Sequence, residues 1–196
     1  MPRIVVSEFL TLDGVMQAPG DPNEDRSGGF EHGGWQLDYF DDIFGNTLME
    51  VFAATGALLL GRLTYENFAA HWPKQPADDP LAGLMNGLQK YVVSRTLEEP
   101  LAWQNSKLLS DDVVGEIGRL KDGSGKDIQV IGSGELVQTL IQHDLVDGYR
   151  LMIHPLVLGT GKRLFRDGTP LTRVRLVDSK PTTTGVLILD YEPVRS

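Results

Sequence analysis

Three short stretches carry residues suited to holding an anion. Residues 128–141 read IQVIGSGELVQTLI, an apolar run that passes through two glycines into a second apolar pattern. A strand–Gly–x–Gly–helix corner lets backbone N–H groups approach a phosphate, and the helix dipole favours the charge. The same glycines equally suit a tight strand-to-helix turn that needs positive φ. In LLLGRLTYE, residues 58–66, a second apolar run ends in Gly61 and a helical pattern begins, with Arg62 and Thr64 in its first turn. An arginine offers phosphate a fixed charge and a forked donor; the alternative is a surface pair with Glu66 one turn on. In YVVSRT, residues 91–96, a third apolar run ends in Ser94 and Arg95, for which a solvated loop is the alternative. Singly, each stretch is ambiguous. Three apolar runs that end alike are harder to dismiss.

These stretches need elements to hold them. Apolar, β-branched or alternating runs predict strands at residues 4–9, 57–60, 91–93, 128–131, 149–153, 174–178 and 186–191. Helical spacing of apolar residues predicts helices at 38–52, 62–70 and 113–121, and a further one through Leu136, Val137, Leu140 and Ile141. Residues 11–34 are rich in Gly, Pro and Asp; a loop this long in a compact domain is usually functional, often a lid. Strand and helix alternate until the tail, where strands follow one another alone. That pattern predicts a single α/β domain over residues 1–196, with a mainly parallel sheet and an antiparallel C-terminal edge. Ligands of such sheets bind beyond the carboxyl ends of the strands, where Gly61, Ser94 and Gly132 would gather.

Composition narrows the function classes. The formal net charge is -9, which argues against a nucleic-acid partner and asks for local cations around any anionic ligand. The chain has no cysteine, so disulfides, thiolate zinc sites and Cys nucleophiles are excluded together, and a reducing cytoplasm is the expected setting. No run of apolar residues is long enough to span a membrane, and MPRIVVSEF does not read as a signal peptide. His32, His71, His143 and His154 lack metal-ligand spacing, so no metal is expected and His154 reads as structural. Ser133 lies outside any G-x-S-x-G pattern, and Gly159-Thr-Gly-Lys162 reads as a turn rather than a P-loop. Trp35, Tyr39 and Phe40 suit an aromatic wall for a flat heterocycle, or plain core.

GRLTYE, YVVSRTLEEP and VIGSGELV occur in the order found in the dihydrofolate reductase-like fold, a three-layer α/β architecture. LVDGYRLMIHPLVLGTGKRLF and TLDGVMQAPG make the chain resemble more closely the reductase (C-terminal) domain of riboflavin biosynthesis proteins and its stand-alone relatives. The resemblance implies an NADPH-dependent reductase acting on a small heterocyclic or carbonyl substrate. It places Gly132, Ser133, Gly134 and Glu135 at the pyrophosphate, Gly61, Arg62 and Thr64 at phosphate groups, and Ile131 among the cofactor-binding residues. Ser94 and Arg95 would flank the adenosine 2′-phosphate, while Leu12, Asp13, Gly14 and Val15 would border the nicotinamide. It also implies a homodimer. The pterin-pocket carboxylate of dihydrofolate reductases has no clear match; Asp38 is the nearest candidate, with helix N-cap or solvated acid as alternatives. A proton would come from Asp38, Asp13 or water. With that carboxylate missing, a non-catalytic module binding a nucleotide, pterin or flavin is the competing reading.

Overall fold

Alternation along the first strand, β1 (Ile4–Thr11), sorts its side chains between two cores in a computed structural model that describes residues 1–195. Seven more strands complete one sheet: β2 (Ala57–Gly61), β3 (Gln89–Val93), β4 (Ser106–Leu109), β5 (Ile128–Ile131), β6 (Gly148–His154), β7 (Val174–Pro181) and β8 (Leu187–Pro193). Their order is β4-β3-β2-β5-β1-β6-β8-β7. The first six in that order are mutually parallel, and β8 and then β7 add antiparallel pairings. This is the mostly parallel sheet with an antiparallel C-terminal edge that the sequence pattern predicts.

Helices cover both faces. Five are present: α1 (Asp42–Ala54), α2 (Arg62–His71), α3 (Pro80–Gly87), α4 (Val113–Asp122) and α5 (Gly134–Gln142). Ile4, Val6 and Leu10 of β1 pack with Leu59, Val130, Ile117 of α4 and Val137 and Leu140 of α5. On the opposite face Leu58, Leu60 and Val92 pack with Phe52 of α1, Tyr65 of α2 and Met85 of α3. The result is three layers, each aliphatic side chain buried between them contributing roughly 1.5–3 kcal/mol.

The helix starts fall into two kinds. Asp41 caps α1 by accepting from Phe44 N–H at 2.8 Å. Asp79 caps α3 by accepting from Leu81 and Ala82 N–H at 2.9 and 3.0 Å, and Asp112 caps α4 by accepting from Gly115 N–H at 3.0 Å. By contrast α2 begins at Gly61 and α5 at Ser133, and neither has a side-chain cap.

One local expectation is corrected, and two elements carried no expectation. The first long helix starts at Asp42 rather than residue 38, because Asp41 takes the cap and Leu37–Tyr39 forms a separate 3-10 turn that ends in extended Phe40. Helix α3 has no counterpart among the expected helices; its signal is Asp79 followed by Pro80 at the first helical position. Strand β4 has four residues at the sheet edge and no clear alternation to announce it.

Candidate functional site

β2 leads through α2 outward to β3, whereas the adjacent β5 leads through α5 past β1 to β6. Where neighbouring strands send their connections opposite ways, a crevice opens at their carboxyl ends. The bare starts of α2 and α5 meet there. Gly61 N–H donates to Ser133 Oγ at 2.8 Å, and Ser133 N–H donates to Thr64 Oγ1 at 3.0 Å. The Ser133 hydroxyl lies 3.0 Å from both Thr64 Oγ1 and the Ile131 carbonyl, its acceptors. Gly132 and Ser133 are both left-handed, with φ of 56° and 60°. A Cβ on Gly132 would stand 2.9 Å from Thr64 Oγ1, so only glycine fits. The corner is therefore a tight turn, and neither Gly61 nor Ser133 caps the helix that follows it with its side chain.

Cations surround this corner. Arg62 is exposed and pairs with Glu66 at 2.9 Å, the surface pair that the i,i+4 spacing allows. Gly61 lies opposite Val93 in the β2–β3 ladder, so Ser94 and Arg95 follow at the same edge. Arg95 is exposed and forms no ion pair among the described residues. Ser94 is buried; its Oγ accepts from Thr96 and Leu97 N–H, both at 3.1 Å, and so shapes the turn that carries Arg95. Sequence reading missed a further cation, Arg166. It pairs with Glu135 at 2.6 Å, and its Nη2 would lie 3.2 Å from a Cβ on Gly134, beside the α5 start. Its only signal was the basic run of GTGKRLFRDG.

The loop after β1 is built, not loose. Asp13 accepts from Thr11 Oγ1 at 2.6 Å and from Leu158 and Gly159 N–H at 3.2 and 2.8 Å, with Arg163 nearby. The Thr11 hydroxyl, with these backbone donors, lowers its pKa to about 2. Asp13 thus ties two loops as a permanent carboxylate and has no proton to give at neutral pH. Leu12 is 64% exposed at the rim, whereas Val15 is fully buried against Phe30 and Trp35 and offers its side chain to no ligand. Gly14 takes the positive φ (78°) between them, its N–H closing a turn onto the Thr11 carbonyl. Asp38 is exposed on its 3-10 turn and makes no hydrogen bond or ion pair among the described residues.

The expected aromatic wall faces inward. Trp35, Tyr39, Phe9 and Phe44 present edges or tilted faces to the His154 ring, with centroids 5.1–5.9 Å away. Burial pushes the His154 pKa down, and Nδ1 lies 2.9 Å from the Met152 carbonyl, so the ring is a neutral core group. Phe40 alone of the three proposed wall residues is mostly exposed.

One acid escaped sequence reading. Glu8 is 3% exposed on β1, and its Oε1 has no hydrogen-bond partner among the described residues. Burial first, and the nearby Glu24 charge second, push its pKa well up, with the Gly132 backbone opposing. The signal was a lone charge at an inward-facing position, in register with Ile4, Val6 and Leu10.

Fold and crevice together define an α/β protein that sets two bare helix starts at the switch point of a mostly parallel sheet. No grouping of His, Cys, Asp and Glu among the described residues suits a metal, and no helix is long and apolar enough to cross a membrane. The chain belongs to the RibD C-terminal domain family, which it matches over residues 2–188. It is 31% identical over 192 residues to the uncharacterized protein YyaP of Bacillus subtilis (strain 168), covering 96% of this chain and 94% of that one. A crystal structure from Shewanella sp. PV-4, provisionally described as a riboflavin biosynthesis protein, superposes with a TM-score of 0.69 at 21% identity, covering 98% of this chain and 99% of that one. A pyrimidine reductase-like protein from Corynebacterium diphtheriae gives a TM-score of 0.66 at 13% identity, covering 100% and 93%. At such identities the two structures establish the fold alone.

Proposed function

We propose that this protein is a reductase that binds NADPH along the carboxyl edge of its sheet and reduces a small heterocyclic or carbonyl substrate. The reaction is most like that of 5-amino-6-(5-phosphoribosylamino)uracil reductase or dihydrofolate reductase. One observation carries the reading: the two uncapped helix starts are locked to each other through Ser133 and Thr64. Backbone N–H groups at Gly134 and Glu135 and in the first turn of α2 suit a diphosphate, with Arg62 and Arg166 at its flanks. Ile131 and Gly132 form the floor of this cradle. Arg95, on the turn shaped by Ser94, suits a 2′-phosphate and so NADPH over NADH. Leu12 and Gly14 border the nicotinamide, while Val15 anchors their loop from inside. When bound, the cofactor supplies the hydride. The chain orients it and sheds water around it, and the proton comes from exposed Asp38 or from water.

A binding module without turnover is the second reading, favoured because Asp13 is locked as a carboxylate and Asp38 lies exposed on a surface turn. Reduction of any pterin, pyrimidine or carbonyl acceptor eliminates it. We also infer a homodimer. Every residue of β7 is exposed, Val174, Leu176 and Val177 among them, and a second copy would cover that edge. Light scattering that gives the monomer mass removes this inference. The cysteine-free composition suits a reducing cytoplasm as the place of action.

Fluorescence titration with NADPH and NADH tests the main reading. NADPH should bind with a Kd well under about 1 mM, tighter than roughly -4 kcal/mol, and NADH more weakly. Failure of both at that concentration rejects the reading.

A further inference from the structure

Among the ionisable side chains buried in the sheet, Lys90, Glu8 and His154 differ in their partners: His154 Nε2, like Glu8 Oε1, has no hydrogen-bond partner among the described residues, but the rings of Phe9, Trp35, Tyr39 and Phe44 enclose it. Lys90, near the start of β3, is fully satisfied: Nζ donates to the Asn86 and Gln104 carbonyls at 2.9 and 3.2 Å and sits 4.1 Å from the Trp103 ring centre. Nothing is left over for a ligand. Glu8 is as deeply buried, yet Oε1 is unpartnered. A buried polar atom without a partner is unfavourable and calls for an explanation; Gln36, Trp72, Ser106 and His154 carry such atoms too, so position must single Glu8 out.

Its place does so. The β1–β5 ladder pairs Ser7 with Ile131, so the next step sets Glu8 beside Gly132, at the cradle between the two bare helix starts. The segment after β1 crosses the mouth of the crevice from α5 to α2. Met16 Sδ would lie 3.2 Å from a Cβ on Gly134, and at the other side the Glu24 carbonyl accepts from Asn67 Nδ2 at 3.2 Å. Asn67 stands one turn beyond Thr64 on α2. The Glu24 carboxylate, held by Gly20 N–H at 2.8 Å, is near enough for its charge to act on Glu8.

We propose that Glu8 is a binding residue of the crevice, a neutral carboxyl that donates a hydrogen bond through Oε1 to a phosphate oxygen of the dinucleotide. The inference rests on the NADPH reading above. A carboxylate at this position would repel phosphate, whereas a carboxylic acid adds a donor among the backbone N–H groups. Its surroundings favour the acid: burial and the Glu24 charge both act against ionisation. Three further acids near the mouth are paired: Glu135 with Arg166, Asp25 with Lys162, and Asp13 with Arg163. Strand β5 contributes no charged residue, and the two on β6 lie elsewhere: Arg150 pairs with Asp190 and His154 packs on Phe9 and Phe44.

NADPH titrations of wild type, Glu8→Gln and Glu8→Leu in steps from neutral to alkaline pH provide the test, with circular dichroism checking the fold of each. Wild-type affinity should fall roughly tenfold or more as Glu8 ionises. The isosteric Gln, still a donor, should keep the neutral-pH affinity and flatten the profile; Leu should weaken binding about tenfold already at neutral pH. Identical profiles for wild type and Gln overturn the proposal, as does a folded Leu variant that binds like wild type. If Leu does not fold, the Gln profile decides. A folded wild type that binds no NADPH at any pH overturns the cofactor reading and this inference with it, whereas binding with an unchanged profile overturns only the latter.

Discussion

Five α-helices begin among the described residues, and they begin in two ways. α1, α3 and α4 each close their first turn with an aspartate. α2 and α5 follow Gly61 and left-handed Ser133, and neither of these residues caps the turn that follows it with its side chain. A side-chain cap is worth about 1 kcal/mol, so its omission needs a reason. Position supplies one: the two bare starts stand at the switch point of the sheet, and Ser133 spends its hydroxyl on tying them together. On the proposed function, capped starts serve the fold and the bare ones receive the dinucleotide.

The largest expected effect breaks the bare corner itself. Gly132→Val sets a branched side chain against Thr64 Oγ1 at a positive φ, and NADPH affinity should fall at least a hundredfold, about 2.7 kcal/mol. Unchanged affinity in the titration would place the ligand elsewhere. Next, Arg95→Ala should weaken NADPH by about 1.5–3 kcal/mol and leave NADH nearly untouched. Equal losses would show that Arg95 does not read the 2′-phosphate.

Glu8 beside the corner gives an effect of pH. Its folded pKa lies above the usual carboxyl value of 4.5. Stability from this group is therefore complete below the unfolded pKa and is lost as pH rises toward the folded one. Glu8→Gln lacks that loss, so urea melts should show a gain over wild type that grows from acid to alkaline pH. A gap independent of pH contradicts a buried neutral acid. The smallest effect sharpens the other side: Asp79→Ala should lower stability by about 1 kcal/mol with NADPH affinity intact. Loss of affinity there would blur the division between the two kinds of start.

Much of this was legible in the sequence because it depends on neighbours. Strand alternation, helix spacing and the glycines at positions 61 and 132 are local signals, and they brought three strand ends to one edge. Pairing across the chain was not legible. Arg166 meets Glu135 from 31 positions away, with no pattern linking them. Trp35 and Tyr39 look like pocket residues until His154 draws them inward. Asp13 looks like a free acid until two backbone N–H groups from the 158–159 turn enclose it. Glu8 was visible as a letter, but a charge inside an apolar run reads as solvent-facing until strand register sets it inward.

Hydrogen exchange of backbone amides with and without saturating NADPH tests the central claim most directly, because it reads the helix starts themselves. The account predicts new protection at residues 62–64 and 134–136, and none at 42–44, 81–82 or 113–115. Bound NADPH that leaves 62–64 and 134–136 unprotected, or that protects the aspartate-capped starts instead, would contradict it.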